Sequence, residues 1–119
     1  MKIVIFNPKD GFTTDQQKQL SSFGNVSYTK DRKELPISNL LEMAKGADII
    51  GVDPDPLGGF EKAKEKLTQV IKSLPNLRGL CLSTTSFGWV DLDFCREREL
   101  SVSNIPGYSS EAVAETAIA

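Results

Sequence analysis

The sequence predicts an α/β protein of three layers, in which a doubly wound sheet of five parallel strands lies between helices. Two observations carry this prediction. Short apolar runs rich in branched residues alternate with amphipathic helical patterns along the chain, and the connections between them are short. Parallel strands need crossover helices, and right-handed crossovers place helices on both faces of a sheet. A length of 119 residues predicts one domain, residues 1–119.

Five runs are the predicted strands. They are KIVIFN (2–7), NVSYTKD (25–31), ADIIGVD (47–53), LRGLCLS (77–83) and LSVSNI (100–105). The first and third are near-continuous apolar runs, as expected of strands buried on both faces. The second alternates polar and apolar residues and is the least apolar, so we expect it at an edge. This favours the flavodoxin-like strand order 2-1-3-4-5, in which ligands bind beyond the carboxyl ends of the strands.

Helix-start signals precede the helical patterns. The predicted caps are Thr13 or Thr14 in a capping box with Gln16 or Gln17, then Ser38, then Asp91. The third helix is predicted from apolar residues at helical spacing, namely Phe60, Ala63, Leu67, Val70, Ile71 and Leu74. Ser109 or Ser110 opens a last helix over 110–119, which has no closing signal.

The composition excludes several classes of function. A net charge of −2 and a pI near 5.1 give no electrostatic reason to expect nucleic acid or anionic membrane as a partner. The absence of histidine removes serine and cysteine nucleophile triads and most zinc sites, so no metal site is predicted. Cys81 and Cys95 are predicted to be reduced, packed thiols of a cytoplasmic protein, although a disulfide between them is possible.

The loops after the strands carry any chemistry. FNPKDG, after the first strand, has one glycine and a proline, so it does not predict a phosphate-binding loop. Asp53 and Asp55 can serve as paired carboxylates, but their alternation with prolines favours ordinary turn chemistry. STTSFGW, after the fourth strand, offers hydroxyls and amides that suit a small anion. Trp89 is either an exposed aromatic rim or a lid on the sheet edge.

One long segment, residues 73–117, resembles the D-isomer-specific 2-hydroxyacid dehydrogenases. The matching residues are Pro75-Asn76-Leu77, Val90-Asp91-Leu92, Arg96-Glu97-Arg98, Ser103-Asn104-Ile105-Pro106-Gly107-Tyr108-Ser109 and Glu111-Ala112-Val113-Ala114-Glu115. The third strand and its loop, ADIIGVDPDPL, also look like this family. The resemblance implies a flavodoxin-like substrate-binding domain, followed in the family by a Rossmann domain that binds NAD and supplies the catalytic residues.

The resemblance implies roles for two loops and the last helix. The implied substrate-binding residues are Asp53, Pro54, Asp55, Thr84, Thr85, Ser86 and Phe87, and the implied hinge residues are Ser109, Glu111, Val113 and Glu115. No catalytic residue and no cofactor site is expected in this chain, since NAD would bind the domain that follows. The family usually has Gly-x-Gly where this sequence has Thr84 to Ser86, which restricts backbone approach to a substrate carboxylate.

The sequence therefore predicts a truncated substrate-binding domain of an NAD-dependent D-2-hydroxyacid dehydrogenase, inactive in isolation. One alternative is a stand-alone binding or dimerisation module of the same fold. A receiver-like signalling domain is a weaker alternative. Asp53 and Thr84 fit the aspartate after the third strand and the Ser or Thr after the fourth strand of such domains, but Asn7-Pro8 replaces the acidic pair that would hold magnesium. Exposed apolar surface near the terminal helix predicts self-association, by helix swapping or as a homodimer.

Overall fold

The fold is a three-layer α/β arrangement around one parallel sheet. A computed structural model describes residues 1–31, 33–82 and 88–104 of the chain. The strands are β1 (Lys2–Pro8), β2 (Asn25–Thr29), β3 (Ile49–Val52), β4 (Gly79–Leu82) and β5 (Ser101–Asn104). The helices are α1 (Thr14–Phe23), α2 (Ile37–Ala44), α3 (Phe60–Lys72) and α4 (Leu92–Glu97), with short 3₁₀ helices at Lys9–Gly11 and Asp55–Leu57.

The five strands are parallel in the order β2-β1-β3-β4-β5, which confirms the predicted topology and the edge position of the second strand. Register is continuous across the centre, where Phe6 of β1 pairs with Val52 of β3, and Val52 pairs with Leu82 of β4. The carboxyl ends of these three strands therefore lie side by side. The described segments that follow β1 and β3 share one edge of the sheet.

The two faces of the sheet are covered by different helices. Alternate residues of each strand point to opposite faces. Val4 and Phe6 of β1 lie in a large buried cluster with residues of α2, α3 and α4, whereas Ile3 and Ile5 pack with Leu20 of α1 in a smaller cluster. Residues of β3 and β4 divide between the clusters in the same way. This division is the three-layer architecture.

Local sequence explains most helix boundaries. Thr13 and Gln16 form the predicted capping box: Gln16 N–H donates to Thr13 Oγ1 at 3.1 Å, and Thr13 N–H donates to Gln16 Oε1 at 2.9 Å. Asp91 caps α4 by accepting the Phe94 N–H at 3.1 Å. The prediction of Ser38 as a cap is wrong. Pro36 precedes the first turn of α2 instead, without a side-chain cap, because its ring fixes the backbone angle that leads into the helix.

Two further expectations are corrected or resolved. The predicted core stripe of α3 is buried except at Phe60, which is 59% exposed. Trp89 is only 2% exposed, so it is a core residue rather than a rim.

Cys81 and Cys95 are both free and buried, as predicted. The predicted helix over 110–119 lies outside the described residues. No helix in the described part of the chain is long and apolar enough to cross a membrane.

Candidate functional site

The loop after β3 holds the three sequence-predicted site residues that the structure describes. Asp53 Oδ1 accepts the backbone N–H of Asp55 at 2.9 Å, which is the turn chemistry favoured from the sequence. The chain then continues into the 3₁₀ helix Asp55–Leu57. Asp53 is half-buried, Pro54 is buried and Asp55 is exposed. Of the three, the two carboxylates are therefore the side chains that the loop presents near solvent.

Two glycines close this loop and lead into α3. Gly58 and Gly59 have φ values of 92° and 85°, which residues other than glycine rarely adopt. Gly59 N–H donates to the carbonyl of Pro54 at 2.8 Å, so the segment folds back on itself. Phe60 then begins α3 and meets Trp89 edge-on, with ring centroids 6.4 Å apart. The loop and the segment after β4 are thus joined by an aromatic contact at the same edge of the sheet.

A set of ion pairs and hydrogen bonds, which sequence reasoning missed, links Glu34 and Leu35 to α3 and to the loop after β3. We call these contacts the Glu34 clamp. Lys66 Nζ of α3 lies 2.5 Å from Glu34 Oε2 and donates to the carbonyl of Leu35 at 3.2 Å. Lys62 Nζ lies 3.5 Å from Glu34 Oε1. Leu35 N–H donates to the Pro56 carbonyl at 2.9 Å. The hydrogen bond from Lys66 is the largest cause that lowers the pKa of Glu34, with the charges of both lysines acting in the same direction.

The interior strand β1 ends beside this loop with a buried amide. Asn7 is 6% exposed, and its Oδ1 has no hydrogen-bond partner. The only other such buried oxygen among the described residues is the hydroxyl of Tyr28, in β2. No group of three metal-ligating side chains occurs in the described ranges. The geometry therefore offers two carboxylates and one amide at the carboxyl edge.

The other predicted site residues lie outside the described residues. These are Thr84, Thr85, Ser86 and Phe87 in the loop after β4, and Ser109, Glu111, Val113 and Glu115 in the predicted hinge. Because β3 and β4 are paired up to Val52 and Leu82, the described end of β4 lies beside the strand end that leads into the Asp53–Asp55 loop.

Comparison with known proteins decides the family. Residues 3–119 match the family model described as the catalytic domain of D-isomer-specific 2-hydroxyacid dehydrogenases. The chain belongs to this family. The match covers nearly the whole sequence and confirms the resemblance drawn from its motifs. Among curated proteins, no sequence matches the chain.

Solved structures share the fold of this dehydrogenase-family domain. D-lactate dehydrogenase from Escherichia coli is 25% identical with a TM-score of 0.59, over 99% of this chain and 35% of that one. An acyclic imino acid reductase in complex with NADPH and D-arginine is 23% identical with a TM-score of 0.67, over 97% and 34%. NAD⁺-bound 3-phosphoglycerate dehydrogenase from Entamoeba histolytica is 21% identical with a TM-score of 0.59, over 87% and 32%. The chain spans about one third of the length of these structures.

Proposed function

We propose that this chain is the substrate-binding part of an NAD-dependent D-2-hydroxyacid dehydrogenase. The parent reaction is hydride transfer between NAD(H) and a 2-oxo or 2-hydroxy acid. The single observation that carries the proposal is the family match over residues 3–119. The carboxyl-edge position of the Asp53–Asp55 loop supports it, because doubly wound sheets bind ligands at that edge.

The chemistry of the loop suggests how a substrate would lie. Carboxylates accept hydrogen bonds and repel anions, so Asp53 and Asp55 suit the hydroxyl or a cationic substituent of a substrate rather than its carboxylate. In the proposed arrangement, the substrate carboxylate meets the hydroxyls and amides of the neighbouring loop, residues 84–87. The two loops would then hold opposite ends of one small 2-oxo acid.

The described residues do not fit a dinucleotide. The strand β1 ends at Pro8 and is followed by a 3₁₀ helix with a single glycine, Gly11, whereas a dinucleotide loop needs several glycines before a helix. We therefore place the cofactor outside this chain, in line with solved neighbours that carry NADPH or NAD⁺ and are about three times as long. The role proposed for this chain is to bind and orient the oxo acid.

Three further parts of the proposal concern the protein as a whole. The chain is a truncated form of the enzyme and is inactive alone. It works in the cytoplasm, which two free buried thiols support. It self-associates, as a homodimer or by swapping the terminal helix. The exposed apolar side chains of Phe60 and Leu92 support this part of the proposal, because exposed apolar surface favours association. A strictly monomeric chain in light scattering at high concentration would count against self-association.

A kinetic assay tests the inactivity directly. The purified 119-residue chain is mixed with NADH and, in turn, with glyoxylate, pyruvate and a branched 2-oxo acid, and NADH consumption is followed by absorbance. We expect no consumption above the buffer rate. A rate that rises in proportion to the concentration of the chain, and persists after further purification, would overturn the proposal.

A further inference from the structure

The edge strand β2 has one side free of any described strand. In the sheet, β2 pairs only with β1 among the described residues. Asn25 N–H donates to the Met1 carbonyl at 3.0 Å, so alternate residues of β2 direct their backbone groups towards β1. The N–H and C=O groups of Val26 and Tyr28 therefore face the open edge, where they can pair with an added strand.

Two grooves flank this edge, one on each face of the sheet. The α1 groove, about 380 Å³, lies between α1 and β2 and is lined by Lys9, Lys18 and Val26 among others. The α2 groove, about 500 Å³, lies between β2 and α2 and is lined by Leu35 and Met43 among others. Tyr28 lines both grooves. The two grooves therefore meet across the edge strand at this residue.

The two grooves differ in chemistry. The described lining of the α1 groove contains two lysines and no carboxylate, and neither lysine forms an ion pair with another described residue. Thr14 and Ser21 add hydroxyls to the same groove. In the α2 groove, Leu35 and Met43 pack against the large buried cluster and form an apolar wall, and the lining also includes Lys30, Asp31 and Glu42. The α1 groove therefore suits acidic side chains, whereas the α2 groove offers an apolar wall beside two carboxylates that disfavour acidic ones.

We propose that the β2 edge binds an extended peptide segment of a partner protein as a sixth strand. Successive side chains of a strand point to opposite faces, so one segment would place every second residue in each groove. Acidic residues would enter the α1 groove beside Lys9 and Lys18, and apolar residues would enter the α2 groove. The segment recognised is thus one in which acidic and apolar residues alternate.

Tyr28 supplies a further reason for an occupant at this position. Its hydroxyl is buried without a hydrogen-bond partner, and burial raises its pKa, so it remains a neutral donor at physiological pH. A buried donor left unpaired is destabilising relative to a paired one. An acidic side chain entering beside Tyr28 would provide an acceptor after a small rotation of the ring.

A peptide titration tests the proposal on the chain as it exists. The probe is a fluorescent, acetylated hexapeptide Glu-Leu-Glu-Leu-Glu-Leu, and its binding is measured by anisotropy and by amide NMR shifts of the ¹⁵N-labelled chain. We expect saturable binding, with the largest shifts at the Val26 and Tyr28 amides. The matched Lys-Leu hexapeptide is expected not to bind, and methylation of alternate backbone nitrogens of the acidic peptide is expected to abolish binding.

Two charge-reversal variants distinguish binding in the α1 groove from a general effect of net charge. Lys18→Glu is expected to weaken binding about two- to fivefold, the range for one partly exposed ion pair. Lys64→Glu changes the net charge equally, at an exposed position of α3 on the opposite face, and is expected to leave affinity unchanged.

Three results would overturn the proposal. The first is the absence of saturable binding of the acidic peptide. The second is an equal loss of affinity in the Lys18→Glu and Lys64→Glu variants. The third is protection of the Val26 and Tyr28 amides together with a dimeric mass in the free chain, because the edge would then be an interface between two copies. None of these measurements depends on whether the chain binds a 2-oxo acid.

Discussion

At the scale of single residues, Gly24 shows how closely the first two strands approach. It ends α1 and stands directly before β2, and a Cβ placed on it would lie 1.9 Å from the backbone oxygen of Met1. That oxygen cannot move away freely, because it accepts the Asn25 N–H in the ladder between the strands. The junction therefore requires a residue without a side chain.

We expect Gly24→Ala to lower the free energy of unfolding by about 1–3 kcal/mol, the usual cost of forcing an extra group into a packed site. Chemical denaturation monitored by circular dichroism measures this change. Gly88→Ala is the matched control, because a Cβ there meets no atom of the described residues within 4 Å, and it should change stability by less than about 0.5 kcal/mol. Equal effects of the two substitutions would contradict the steric argument.

A second prediction at the residue scale concerns pH and Glu34. The pKa of Glu34 is below its ordinary value of 4.5 in the folded chain, first because Lys66 donates a hydrogen bond to it. The unfolded chain then binds the proton more tightly, so the stabilisation is present above pH 4.5 and is lost as the pH falls through the folded pKa. Because Glu34 is exposed and Lys66 is partly exposed, added salt should weaken their ion pair.

Denaturation of the wild type and of Glu34→Gln at several pH values checks this sign. The variant should have the lower denaturation midpoint at neutral pH, and the two midpoints should converge in acid. Glu65→Gln, an exposed carboxylate on the same helix as Lys66, is the control and should follow the wild type throughout. A difference that persists in acid would mean that Glu34 acts by packing rather than by charge.

At the scale of elements, Arg98 links α4 to α3. Its Nη1 donates to the Ile71 carbonyl at 2.8 Å and its Nη2 to the Leu74 carbonyl at 2.6 Å, at the end of α3. The same two carbonyls also accept the backbone N–H groups of Leu74 and Leu77, so the arginine is their second donor. The guanidinium also lies 5.8 Å from the ring centroid of Phe94. The arginine thus adds charged hydrogen-bond donors to the end of one helix from the end of another.

We expect Arg98→Ala to cost about 1–3 kcal/mol in the free energy of unfolding, because it removes two partly buried hydrogen bonds from a charged donor. Thermal and urea denaturation measure this cost. Arg96→Ala removes the same charge from an exposed position two residues earlier and should cost less than about 0.5 kcal/mol. A similar loss in both variants would show that overall charge, and not this bridge, accounts for the effect.

The elements also show where sequence reasoning succeeds and stops. Strand and helix identities were predictable because periodicity is a local property, and the capping box at Thr13 is encoded within four residues. The prediction of Ser38 as a cap was wrong because Pro36 fixes the backbone two residues earlier, so that α2 begins at Ile37. The burial of Trp89 and the bond from Lys66 to Glu34 join residues distant in sequence, which no local pattern reveals.

At the scale of the whole molecule, the strand order was predictable because β2 has the fewest apolar residues and was therefore expected at an edge. That order in turn locates the candidate site. The Asp53–Asp55 loop was predictable as a position, because it follows a central strand. Its clamp by Glu34 and its aromatic support from Phe60 were not, because both depend on how helices lie across the sheet. The family match then extends over both faces and all five strands.

An amide NMR titration of the ¹⁵N-labelled chain with pyruvate and, separately, with NADH tests the proposed substrate-binding role most directly. We expect pyruvate to shift the amides of Asp55, Gly58 and Gly59 at the carboxyl edge of the sheet, and NADH to produce no saturable shift. Saturable binding of NADH to this chain would contradict the proposed function. So would pyruvate shifts confined to the opposite edge, around Asp48 and Arg78.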